Sequence, residues 1–227
     1  MGLPRLQSLV IAYLDALDGK MLPLGWMRPS REKDHFVGPA QGELIPRFSA
    51  LGSVDEGTAS VYFYPAIGIQ YPEAVDLEAR FLGQPDGARS TTSSMGRGLI
   101  ELIPEEQNRS FGRWRLNDEA GVDHVSSVLL GDFARYGIPY IERFSSVDVL
   151  ISEMASTGRK TQDVQRKLAI MYALSGRRSE ALGALAEFAR KFSEQSGMLA
   201  DQTYRFVMAF SSHFGFGSDL LSDRDQS

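Results

Sequence analysis

Cysteine is absent from this chain. That excludes disulfide staples, thiolate nucleophiles and zinc sites built on sulfur, and it favours a reducing compartment. Histidine is scarce: His35, His124 and His213 are isolated in sequence, and none has the i, i+4 partner of a helical zinc site. No run of about 18 apolar residues occurs, so no membrane span is expected. The opening "MGLPRLQSLVIAYLDALDG" is broken by Arg5, Gln7, Asp15 and Asp18 and lacks a small-residue cleavage site, unlike a signal peptide. Leu6 stands where a myristoylation signal needs Ser or Thr. A cytoplasmic location is the expectation.

Reaction motifs are missing too. "GSVDEG" lacks the Gly-x-Ser-x-Gly of a nucleophile elbow, and "GRGLIE" lacks the Lys and Ser/Thr of a phosphate-binding loop. No Gly-x-Gly-x-x-Gly opens a helix after a strand. Glu73, Glu101 and Glu105 are nominal carboxylates for glycosidase-type chemistry, which can draw its acids from distant strands. No cofactor and no metal are expected. Nor does the charge suit a nucleic-acid binder: the formal net charge is −5, whereas phosphate neutralisation demands a basic face. Mild acidity suits a basic protein partner instead.

What is present suits one sizeable domain or a domain with an appendage. A chain of 227 residues buries roughly 70% of its unfolded surface and needs no staple. Residues 4–18 carry Leu6, Leu9, Val10, Tyr13, Leu14 and Leu17 at helical spacing, with Pro4 in the first turn and Gly19 as the expected stop. From 22 to 71, short strands punctuated by Pro and Gly are expected: "LGWMRPS", "DHFVGPA", "ELIPRFSAL" and "ASVYFYPAIGIQY".

The last of these is the most informative. Val61, Phe63, Pro65, Ile67, Ile69 and Tyr71 alternate with Tyr62, Tyr64, Ala66, Gly68 and Gln70, the pattern of a strand with one strongly apolar face. Pro65 removes a ladder donor and predicts a sheet edge or a bulge. Pro72 then opens a helix that Gly83 ends. On the second face, Tyr62 and Tyr64 followed by small residues leave a shallow surface beneath two aromatic walls. Its preferred use is packing beneath a covering helix, with a ligand groove as the alternative.

Beyond the polar stretch "GQPDGARSTTSS", the segments "MGRGLIELIPEE" and "SFGRWRLN" read as two further strands joined by a charged turn at 104–109. Asn117 is the expected cap of a helix through Tyr136. "GIPYIERF" reads as an extended return, and Ser145 with Asp148 as a capping box for "SVDVLISEMA". After residue 156 the pattern is purely helical, with stripes through Val164, Leu168 and Met171, through Leu182, Leu185 and Phe188, and through Phe206, Val207 and Phe210. The fold class is therefore α+β: a mixed or antiparallel sheet with packed helices in 1–156, a helical hairpin and third helix in 157–214, and a flexible tail in 215–227.

A binding surface is expected where "PEEQNR" and "NDEAGVD" bracket Trp114. Glu105, Glu106, Asp118 and Glu119 would form an acidic rim around an aromatic centre, since tryptophan concentrates binding energy and acidic rims steer basic partners.

Two resemblances follow from these segments. "LAIMYALSGRRSEALGALAEFARKF" resembles one unit of a tetratricopeptide-type hairpin, without a second copy near a period of about 34 residues. The order of segments over roughly residues 5–156, with the return Tyr136-Gly137-Ile138-Pro139, resembles the DUF4304-like group of small bacterial proteins. That resemblance implies an α+β fold in a bacterial cytoplasm and brings no activity with it. Toxin-immunity or accessory roles suit such domains. The leading expectation is a non-enzymatic protein-binding module, an immunity or accessory protein against a basic partner such as a toxin. The alternative is an uncharacterised enzyme or small-ligand protein with a pocket between the sheet and the C-terminal helices.

Overall fold

The computed structural model describes residues 3–31, 33–84, 93–107, 112–158, 161–193 and 197–216. They group into two compact units, Met1–Gln70 with Met95–Ser146, and Tyr71–Ser94 with Val147–Ser227. The division therefore does not run along the chain at residue 156. Among the described residues the sheet has five strands, all antiparallel, and the C-terminal part is helical. The fold class is α+β. No described helix is long and apolar enough to cross a membrane.

In the first unit, α1 (Leu3–Met21) buries Leu6, Leu9, Tyr13, Leu14, Leu17 and Met21. The expected stop at Gly19 is not taken. A glycine costs a helix only about 1 kcal/mol, and fully buried Met21 holds the next turn in place. Reversal falls to Gly25, whose φ of 78° ends a 3-10 turn over Leu22–Leu24.

Strands β1 (His35–Val37), β2 (Ile45–Asp55), β3 (Ser60–Gln70) and β4 (Met95–Gly98) lie in that order, and β5 (Arg115–Leu116) also pairs with β3. The "LGWMRPS" segment contributes a single bridge, Met27 to Val37, instead of a strand. As expected, Val61, Phe63, Pro65, Ile67 and Ile69 are buried on one face of β3. Tyr13 stacks on Phe63 at 3.7 Å, and Phe48 meets Phe133 at 4.8 Å.

Four expectations between residues 95 and 142 need correction. β4 and β5 do not pair with each other; both pair with β3. After Gly98 the chain winds into 3-10 turns over Leu99–Leu102 and Glu105–Gln107, and residues 108 and 109 of the expected charged turn lie outside the described residues. Asn117 is not a helix cap: its Oδ1 accepts from the Ser60 hydroxyl at 2.9 Å, while Asp118 Oδ1 accepts from Gly121 N–H at 3.0 Å. Finally, "GIPYIE" is helical.

Helix α3 (Val122–Asp132) continues through a π turn over Phe133–Gly137 into α4 (Ile138–Glu142). Pro139 has no N–H to donate, and the wider turn absorbs that defect, with Ile138 N–H bonded to the Phe133 carbonyl. Gly137 has a second reason to be glycine. A Cβ there would lie 2.5 Å from Ile67 Cδ1, so its absence lets the turn sit directly on β3.

The second unit comprises α2 (Pro72–Phe81), α5 (Val147–Ser156), α6 (Gln162–Leu174), α7 (Arg178–Ser193) and α8 (Met198–Phe214). Pro72 opens α2 and Gly83, at φ 69°, follows its end, both as expected. Phe81 lies among Phe206, Phe210, His213 and Phe214. Arg178 donates to the carbonyls of Phe214 (3.2 Å) and Gly215 (2.6 Å), covering acceptors that the end of α8 leaves unpaired. Phe216, expected in a flexible tail, is buried and stacks on Phe210. The rest of that tail, 217–227, lies outside the described residues.

Lys167 is fully buried and Glu78 nearly so. Lys167 Nζ donates to Asp163 (2.7 Å) and to the Ser93 carbonyl (3.1 Å), and Arg166 pairs with Glu78 at 2.7 Å. Burial holds the Glu78 carboxyl above the usual carboxylate range despite these cations.

Candidate functional site: an aromatic cleft at a gap in the sheet

Pro65 explains where the site lies. Its cross-strand partner on β2 is Ala50, and Ala50 N–H points the other way, donating to the Asp34 carbonyl at 2.8 Å. In an antiparallel ladder the opposed residue also turns its backbone outward. The missing donor of Pro65 thus falls on the side of β3 that faces β4 and β5. There, β5 covers Val61 and Tyr62, and β4 covers Ala66 to Ile69. Between them the ladder is interrupted. The expected edge or bulge is instead a gap inside the sheet, flanked by strands on both sides.

A cleft of about 640 Å³ opens at this gap. Tyr62, Tyr64 and Ala66 share the outer face of β3, and Gly98 lies directly opposite Ala66 on β4. With no large side chain on either residue, the floor stays low. Ile100 stands on one side, and Gly112, Arg113 and Trp114 form the other. Tyr64 is 51% exposed; the expected packing of this face beneath a helix is not what the residue does. Its β2 neighbour on the same face, Leu51, is 55% exposed.

Gly112 is required twice over. Its φ of 89° suits only glycine, and a Cβ there would come within 3.1 Å of the Tyr62 ring.

Trp114 is held by a polar clasp. Its Nε1 donates to Asp132 Oδ2 at 3.0 Å. Arg113 Nε donates to the same oxygen at 2.7 Å and Nη2 to Oδ1 at 2.6 Å, a bidentate pair. The hydrogen bond to Asp132 raises the Arg113 guanidinium above its already high ordinary value. Arg113 Nη1 also donates to the Gln107 carbonyl at 3.1 Å, and the Tyr136 hydroxyl donates to Gln107 Oε1. The Arg115 guanidinium lies 5.5 Å from the Tyr62 ring centroid and donates to Ser60 Oγ.

The predicted site residues separate into two roles. Trp114, expected as the centre of an acidic rim, is only 4% exposed and serves as a wall of the cleft. Glu105 and Glu106 are exposed on the 3-10 turn that Arg113 ties to Trp114. Asp118 spends its carboxylate on the turn at Gly121, and Glu119 is exposed beside it. Asp132, Ile100, Gly98 and Gly112 were not among the predicted residues. Tyr62, Tyr64 and Ala66 did carry a signal, through their alternation on β3. Asp132 carried none, because a carboxylate in a helix is indistinguishable in sequence from a solvated one.

Histidines do not enter the cleft. His35 sits on β1, where burial and nearby Arg47 lower its pKa below the ordinary histidine range. Among the described residues, no three His, Asp or Glu side chains converge in a way that would hold a metal ion. No family model matches the chain, and neither a curated protein nor a solved structure matches it.

Proposed function

We propose that the aromatic cleft is the binding site of a non-catalytic module, and that it takes an uncharged, ring-bearing small molecule. The observation that carries this reading is the cleft's volume together with its lining. At about 640 Å³ it falls in the range of small-ligand sites, roughly 300–1,000 Å³, which are lined by aromatic and apolar groups with a few polar ones. Its charged lining residue, Arg113, is already neutralised by Asp132. A charged ligand group would have to compete with that pair. A flat ring would meet Tyr62, Tyr64 and Trp114 in offset or edge-on contact. This is the small-ligand alternative of the sequence reading, relocated to the gap in the sheet.

The test uses an uncharged dye, N-phenyl-1-naphthylamine, which brightens in apolar surroundings. In a Trp26→Phe background, Trp114 becomes the single tryptophan and serves as an energy-transfer donor. Saturable binding with transfer from Trp114 is expected. Ala66→Leu, on an exposed floor position, should fill the cleft and weaken binding at least about tenfold, the equivalent of roughly 1.4 kcal/mol. Dye binding that is absent, or indifferent to Ala66→Leu, refutes the reading.

A second reading is favoured by the exposure of Glu105 and Glu106 on the turn tied to this cleft. A basic protein partner would seat an apolar side chain between the tyrosines and place its cations against the turn. Association would then slow with salt, because rim charges act mainly on the on-rate. Glu105→Lys with Glu106→Lys would slow it further without affecting dye binding. An association rate indifferent to both changes removes this second reading.

A further inference from the structure

The hairpin of α6 and α7 contains a separate cavity of about 240 Å³, lined by Gln165, Leu168 and Tyr172 on one helix and by Glu180, Gly183, Ala184 and Glu187 on the other. Its origin is a local failure of interdigitation. Residues 165, 168 and 172 follow one face of α6, and 180, 183, 184 and 187 follow the facing stripe of α7. At the middle of that stripe stand glycine and alanine, too small to fill the groove beside Leu168. A Cβ added at Gly183 would meet nothing within 4 Å.

Two polar groups that line this cavity, Glu187 and Gln165, have acceptor capacity to spare. Glu187 Oε1 accepts from Gln165 Nε2 at 3.1 Å. Glu187 is exposed, so its carboxylate meets solvent, and among the described residues it forms no ion pair with a Lys or Arg. Gln165 is only 2% exposed, and among the described residues its Oε1 has no hydrogen-bond partner. The amide cannot simply be turned around, because that would set its oxygen against the Glu187 carboxylate. A buried acceptor left unpaired bears its full desolvation penalty, so a ligand that donates to it gains twice, by the bond formed and by the penalty relieved. Glu180 differs: Arg177 pairs with it at 3.0 Å and also lies 4.6 Å over the Tyr172 ring. Arg177 thus sets a guanidinium between a carboxylate and an aromatic face that both line the cavity. The end at Glu187 and Gln165 holds none.

We infer that this cavity binds an organic cation, an alkylammonium or alkylguanidinium, whose head group donates to Glu187 and Gln165 while its chain lies on Leu168, Gly183 and Ala184. The space suits such a ligand: at about 30 Å³ per water, 240 Å³ takes on the order of eight non-hydrogen atoms, the length of a Lys or Arg side chain. The inference is independent of the aromatic cleft and stands on α6 and α7 alone. The cation has two possible sources, a free amine or the basic side chain of a protein.

The experiment follows amide and methyl chemical shifts of the full-length protein during titration with butylammonium, propylguanidinium and, as the uncharged isostere, 1-butanol. A capped Gly-Arg-Arg-Gly peptide forms a fourth arm. Saturable shifts at Leu168, Ala184 and Glu187 with the cations, and not with the alcohol, are the expected result. Glu187→Gln should weaken binding about ten- to a hundredfold, the range for losing a hydrogen bond to a charged group. Gly183→Leu, which fills the cavity and suits a helix better than glycine, should abolish it. Shifts produced by the peptide alone would support the cation site and identify a protein as the source; shifts with the free amines identify a small amine. Should Gly183→Leu perturb the fold, Glu187→Gln still decides the matter, since it leaves the packing intact. No response to any cation overturns the inference, as does an equal response to 1-butanol or wild-type affinity in Glu187→Gln.

Discussion

Replacing Asp132 with alanine tests whether the clasp on Trp114 is what forms the wall of the cleft. The carboxylate is 8% exposed as a side chain and accepts three hydrogen bonds, two from Arg113 and one from Trp114. The consequences for its two partners differ. Arg113 is 26% exposed, so its freed nitrogens recruit water, and the loss there is well below the roughly 3–5 kcal/mol of a fully buried pair. Trp114 is 4% exposed, and its indole N–H is left without an acceptor, which costs about 1–3 kcal/mol. Together these predict a destabilisation of about 2–4 kcal/mol. Urea denaturation followed by far-UV circular dichroism measures it as a lowered midpoint at constant slope. Asp132→Asn keeps an acceptor for one donor only, and should fall between wild type and alanine. In both variants, dye binding in the cleft should weaken more than the population of folded protein does, because the wall loosens before the sheet opens. A loss under about 0.5 kcal/mol, or unchanged dye affinity in Asp132→Ala, refutes the assignment of the clasp.

Two further outcomes follow from buried groups of the first unit. Tyr13 is fully buried against Phe63 and among the described residues its hydroxyl has no hydrogen-bond partner, so Tyr13→Phe should be neutral or stabilise by up to about 1–3 kcal/mol in thermal or urea unfolding; a clear loss of stability would reveal a partner for that oxygen. His35 has a folded-state pKa below its ordinary value, chiefly through burial and then Arg47. Its contribution to stability is therefore present above about pH 6.5 and is lost as the pH falls from there through the lowered folded value, since the unfolded chain takes up the proton first. His35→Gln should flatten that part of the stability-against-pH curve, and an unaltered curve contradicts the shift.

Local rules were enough for much of this molecule. Alternation on β3 marked Val61, Phe63, Ile67 and Ile69 as core, because a strand's side chains can only point to two faces. Helical spacing located α1, α6, α7 and α8, and Pro72 and Gly83 bounded α2, because each reports a backbone preference that survives in any surroundings. The failures share a cause as well. Gly19 and Pro139 both break helices in isolation, yet one lies inside α1 and the other follows a π turn, since burial of Met21 and the close seat of Gly137 on β3 outweigh local costs of a few kcal/mol at most. Sequence placed Pro65 at an irregularity of the sheet. It took the pairing of β4 and β5 on either side of that residue to turn the irregularity into a cleft. In the same way, Trp114 became a wall and not an exposed anchor only when Asp132, on a helix 18 residues away, came to face its indole N–H. Contacts between distant segments are set by the whole packed arrangement, and no single stretch of chain encodes them.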